Sequence, residues 1–141
     1  MTQGEQLRAL ARNIVDDLAA YRQLGDLLDA QFQAALSGAP AQLQAAADRV
    51  LAQGEHLEAS RCRREALVRA LMPQGESLSV DKVLSGLPAP AGPRCRQAWH
   101  ALADAVEACR ARNLRNGEFF MRQQEAVGRV LYGESDVYQA G

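Results

Sequence analysis

Leu7, Ile14, Tyr21, Leu28 and Ala35 stand seven residues apart, with Leu10, Leu18, Leu24 and Phe32 beside that line, and no proline interrupts the run from Gln3 to Leu36. Positions seven apart alternate between the two faces of a strand but share one face of an α-helix. The first quarter of the chain is therefore expected to be one long amphipathic helix over residues 3–36. At 1.5 Å per residue it would reach roughly 50 Å. Such a helix gains most of its stability by burying its stripe against a partner.

The chain supplies that partner directly. "SGAP" (Ser37 to Pro40) offers Gly38 for a left-handed cap and Pro40 for a first helical turn. A loop that short turns the next helix, residues 40–72, back antiparallel to the first. Leu43, Ala47, Val50, Leu57, Val68 and Leu71 mark its buried face. Its charged middle, "HLEASRCRRE", is expected to lay Arg61 and Arg64 along the hairpin with their heads in water. Residues 73–93 read as a connector: Pro73 and Gly75 close the helix, Ser77 or Ser79 caps a short helix "VDKVLSGL", and "PAPAGP" (Pro88 to Pro93) favours an extended path. A third long helix is expected over 94–132, with Trp99, Leu102, Val106, Cys109, Asn113, Phe120, Val127 and Leu131 near one face and Gly133 as its stop. Residues 133–141 then form a polar tail. Aromatics are only 5% of the chain and β-branched residues are few, so a sheet has little to build with. The expected fold is all-α: a long antiparallel helical hairpin plus a third long helix, an elongated bundle with a short connector helix, in one domain.

The third helix contains "NLRNGEFF", with Asn116-Gly117 near its centre. Asn-Gly is a turn signal, and glycine costs a helix interior about 1 kcal/mol relative to alanine. A turn would reset the apolar phase, yet the phase of Trp99, Leu102, Val106 and Cys109 carries through to Phe120 and Val127. An unbroken helix is the better reading, with Gly117 as a point of close approach and Asn113 and Asn116 offering amides on roughly one face. Phe120, Val127 and Leu131 extend the inner stripe; Phe119, Ala126 and Val130 form a second strip beside it. That second strip is either more core or a surface for a partner helix, and periodicity does not separate the two.

The remaining residues argue against other chemistry. A net charge of −1 gives no long-range attraction to nucleic acid or to an anionic membrane surface, and no apolar run approaches the length of a membrane span. Cys62, Cys95 and Cys109 form an odd set without a CxxC pair, and no secretory apolar region follows Met1, so reduced cytoplasmic thiols without a metal are expected. His56 and His100 lack the neighbouring cation that a phosphotransfer histidine needs; a phosphotransfer domain and a generic coiled-coil adaptor are the alternatives. The arginine groups Arg61–Arg64 and Arg110–Arg115 read as solvated helix faces. No nucleophile, phosphate-loop or metalloprotease motif is present, so neither an enzyme nor a cofactor is expected.

Asn113-x-x-Asn116-Gly117 in a long last helix, Phe119 and Phe120 just after it, and a closing Tyr138-x-x-Gly141 together resemble the FlgN-type flagellar export chaperones. The stretch "LEASRCRRE" with Glu58 and Arg61 is similar to that family's second helix, and Trp99 to the tryptophan that often opens its last one. The resemblance implies a cytoplasmic helical chaperone without catalysis. It would bind the C-terminal helical ends of hook-associated (hook–filament junction) proteins, keep them unassembled and deliver them to the type III flagellar export apparatus. It implies that Asn113, Asn116, Gly117, Phe119, Phe120, Val127, Val130 and Leu131 bind the exported protein, and that Tyr138 docks on the export-gate protein. One departure is plain: relatives place one more residue between that tyrosine and glycine than "YQAG" does.

Overall fold

The computed structural model describes the backbone of residues 1–140 and the side chains of residues 1–130. Four helices follow one another: α1 (Gln3–Ser37), α2 (Pro40–Leu71), α3 (Val80–Ser85) and α4 (Ala91–Ala140). The described residues contain no strand, and the fold is an all-α bundle.

Local chemistry sets the ends. Thr2 caps α1 by accepting from the Glu5 amide at 3.1 Å. Gly38 ends α1 with φ of 69°, a left-handed conformation that costs other residues, and its N–H reaches the Ala35 carbonyl. Pro40 then opens α2, where no amide hydrogen is needed. Ser79, and not Ser77, caps α3 by accepting from the Lys82 amide at 3.2 Å. The expected extended path over Pro88 to Pro93 is corrected: α4 already begins at Ala91, with Pro93 inside its first turn, where the missing N–H has no intrahelical partner to lose. Gly92 is required there, because a β-carbon would collide with the Leu87 carbonyl. α4 passes through Gly117 without a break and through Gly133, the expected stop, to Ala140. Glycine lowers helix propensity but leaves every backbone hydrogen bond available.

α1 is the central element. It packs against α2 along one side and α4 along the other, while α2 and α4 do not approach each other's backbone. Asn13 meets Ser60 and Ala20 meets Gln53, so α2 runs antiparallel to α1. Cys109 meets Tyr21, Asn116 meets Leu28 and Phe119 meets Phe32, so α4 runs parallel to it. The apolar core sits at the connector end. Leu10, Ile14, Val68, Leu84 and Leu102 are buried together, and Leu18, Tyr21, Leu71, Val83, Trp99 and Val106 pack around them.

Candidate functional site

One part of the hairpin departs from the solvated arginine face that the sequence suggests. Arg61 and Arg63 are exposed, but Arg64 turns inward and is buried. Its Nη1 donates to Asp17 Oδ2 at 2.5 Å and to Asn13 Oδ1 at 2.9 Å. Ser60 Oγ donates to the other Asp17 oxygen at 2.6 Å, and Asn13 Nδ2 donates to Ser60 Oγ at 2.9 Å. The guanidinium also lies 5.5 Å from the Trp99 ring centroid on α4. Burial of an ion pair is tolerable when each oxygen and N–H finds a partner in this way. This network ties α2 to α1 and, through Trp99, to α4. It is closed upon itself and serves the fold.

The seam between α1 and α4 changes character along its length. Near the connector it is apolar. Beyond Val106 it becomes polar. Cys109 Sγ donates to the Tyr21 carbonyl at 3.2 Å. Asp29 receives Arg112 Nε at 3.3 Å and Arg115 Nη2 at 3.1 Å. Asn116, only 3% exposed, donates to the Leu28 carbonyl at 2.9 Å and to Gln31 Oε1 at 3.0 Å, and accepts from Arg115 Nε. Phe119 meets Phe32 edge-on at 5.5 Å between centroids, and the Arg115 guanidinium lies 4.2 Å from the Phe32 ring centre. Arg112 and Arg115 are thus more than a solvated face: they stay partly exposed but also bridge to Asp29 across the seam.

These contacts show where the expected residues lie in the free chain. Asn113 and Asn116 have different surroundings: Asn113 is exposed, while Asn116 is buried and donates to α1. The close backbone approach is not at Gly117, where an added β-carbon meets nothing within 4 Å. On α1, Gly25 instead makes room for α4 side chains: a β-carbon there would stand 2.7 Å from Arg112 Nη1 and 3.9 Å from Cys109 Sγ. Phe119, assigned to the outer strip, is the ring that touches α1, and both phenylalanines are half-buried.

The feature that stands out is what happens where α1 stops. Tyr21, Leu28 and Phe32 pair with Cys109, Asn116 and Phe119, so the end of α1 at Ser37 falls level with the middle of α4's second half. Helical phase, about 100° per residue, keeps Val127 and Val130 on the α1-facing side of α4, in line with Asn116 and Phe120. With no α1 beneath them, Val127 is 59% and Val130 63% exposed. The inner stripe of α4 therefore continues uncovered beyond its own bundle. Leu131 and Tyr138 lie outside the described side chains.

The titratable side chains assemble nothing further. His56 is exposed, and His100 hydrogen-bonds Asp81 at 3.1 Å on the surface. Among the described residues no cluster of His, Cys, Asp and Glu could hold a metal, and no helix is long and apolar enough to cross a membrane. The three cysteines are free, Cys62 exposed and Cys109 buried. Burial pushes the Cys109 thiol above its ordinary pKa, against the opposing pull of Arg112. A disulfide-exchange reagent at pH 8 will thus modify Cys62 faster than Cys109 by about two orders of magnitude, and denaturant will abolish the difference. Equal rates in the folded protein would contradict the seam.

Comparison with known proteins gives one family. The model described as "FlgN protein" matches residues 1–132. No curated protein and no solved structure gives a significant match.

Proposed function

We propose, from the premise that this chain belongs to the FlgN family of flagellar export chaperones, that it binds the C-terminal helical region of hook-associated proteins in the cytoplasm and carries them to the export apparatus. The observation that supports this most is the uncovered continuation of the α4 stripe, Phe120, Val127 and Val130, past the end of α1. An assembly subunit keeps an apolar helix face for its neighbours in the finished structure. That face must be covered until export, and a helix whose own apolar face outruns its bundle covers it by helix-to-helix packing. Burying a few such side chains stabilises the complex by roughly 1.5–3 kcal/mol each, before the cost of ordering both partners. That balance suits a complex made to be dismantled. Leu131, four residues after Val127 in the sequence, is assigned to the same surface; exposed Asn113 offers an amide to the incoming helix, and the open space at Gly117 admits its backbone. Asn116 donates to α1 in the free chain, so it reaches a partner only when those hydrogen bonds open.

The test uses a hook-associated protein with and without its C-terminal helical segment. The intact chain is expected to co-purify with the first and not with the second. Equal recovery of both would overturn the assignment. Tyr138 is proposed to dock on the export-gate protein: Tyr138→Ala should leave co-purification intact and slow export of the bound protein in cells. Export at the normal rate counts against that role.

A further inference from the structure

The two halves of the α1–α4 seam differ in what holds them, and this difference has a consequence for motion. Toward the connector α4 contributes Leu102 to the buried cluster, with Trp99 and Val106 against it. Among the described residues, nothing on α4 beyond Val106 joins that cluster. From Cys109 onward the ties include a thiol on a carbonyl, two arginines on Asp29, the Asn116 amide, the Phe119–Phe32 contact and the Arg115 guanidinium over the Phe32 ring. α4 has α1 alone as its backbone neighbour there, since α2 stays away. Polar groups of this kind exchange their partners for water at small net cost on separation, whereas the apolar half does not.

We infer that the half of α4 from Cys109 onward is an arm that opens from α1 as a unit, latched by the Asp29 carboxylate between Arg112 and Arg115. All three groups are substantially exposed, 45% for Asp29 and 38% and 39% for the arginines, so salt screens the latch. Opening frees Phe119 and Phe120 from their half-buried positions and joins them to Val127 and Val130 as one continuous apolar stripe. A partner helix that needs the whole stripe binds the open arm, and its apparent affinity scales with the open fraction. This coupling rests on the chaperone reading above; the latch itself does not.

Hydrogen exchange on the full chain decides the latch without any partner. Asp29→Ala is expected to speed exchange of amides 109–122 by about five- to tenfold, while amides 98–106 and 10–18 stay within about twofold. Raising sodium chloride to about 1 M, where the screening length falls to about 3 Å, should speed the same arm amides in the wild type and not in Asp29→Ala. Asp29→Glu should restore slow exchange. Amides 98–106 and 109–122 exchanging together in every variant, or a salt effect that survives in Asp29→Ala, would overturn the latch. The coupling is read with the C-terminal helical segment of a hook-associated protein as probe. Asp29→Ala should bind it more tightly by up to the factor gained in exchange. Faster exchange with unchanged affinity overturns the coupling alone. A wild type that does not bind the probe overturns the coupling together with the chaperone reading, and the exchange data still decide the latch.

Discussion

Arg64→Ala lowers the stability of the fold by about 3–5 kcal/mol, which for a chain of this length moves the thermal midpoint down by roughly 10–20 °C. The reason is the group left behind. Asp17 is 1% exposed, and its carboxylate keeps only Ser60 once the guanidinium is gone. An ionised carboxylate stranded in the core is far costlier than the absence of an ion pair. Asp17→Ala strands the arginine instead and is expected to cost a similar amount. Arg61 is the control, three residues away in the same charged run. It bridges Glu58 and Glu65 in the open, and Arg61→Ala should shift stability by no more than a few tenths of a kcal/mol. Thermal unfolding followed by circular dichroism separates the cases. If Arg64→Ala melts within a few degrees of Arg61→Ala, the network does not hold the hairpin together. The double replacement Asp17→Leu, Arg64→Met removes both charges and should recover much of the single-variant loss, since it leaves no unpaired ion inside.

The contrast between Arg61 and Arg64 also shows where sequence reasoning reaches its limit. The long stripes were legible because periodicity speaks directly about one helix: Leu10, Ile14, Leu28 and Ala35 are buried as their spacing predicts, and so are Leu57 and Val68. Which arginine of "RCRR" turns inward depends on what faces it, and periodicity within α2 carries no such information. A signal did exist on α1. Leu10, Ile14, Asp17 and Tyr21 step by four, three and four, so a carboxylate occupies a seam position and demands a buried cation. A similar signal marks Asn116, which follows Leu102 and Cys109 at seven-residue spacing; all three are buried. Reading Asn113 as the inward amide took the neighbouring line of Trp99, Val106 and Phe120 as the centre of the stripe. Two lines this close in phase are told apart only by the helix that packs on them. The close approach at Gly25 had no local signal either, because a glycine inside a helix becomes meaningful only when a side chain such as Arg112 occupies the space of its missing β-carbon. The uncovered end of α4 follows from relative length and offset. α4 is 50 residues long against 35 for α1, and the parallel pairing of the two carries its second half past Ser37.

That overhang makes the second strong prediction. The double variant Val127→Asp, Val130→Asp is expected to weaken binding of a hook-associated protein by at least about a hundredfold, because two valine side chains are worth roughly 3 kcal/mol or more on burial and two carboxylates would have to be desolvated in their place. The same variant should unfold within a degree or two of the wild type, since both side chains are already more than half exposed in the free chain. Phe119→Ala is a poorer probe, as it also removes the contact with Phe32 and so mixes stability with binding. Leu114→Asp is the informative control. Leu114 is 64% exposed, as open as Val130, but helical phase puts it on the side of α4 turned away from α1. A partner helix that continues the line of α1 does not reach it, and its binding should be unchanged. Calorimetric titration with the C-terminal helical segment of the exported protein measures all three variants. Equal losses for Leu114→Asp and for the valine pair would mean that general stickiness and not the α1-facing stripe recruits the partner, and no loss in either would remove the overhang from the binding surface.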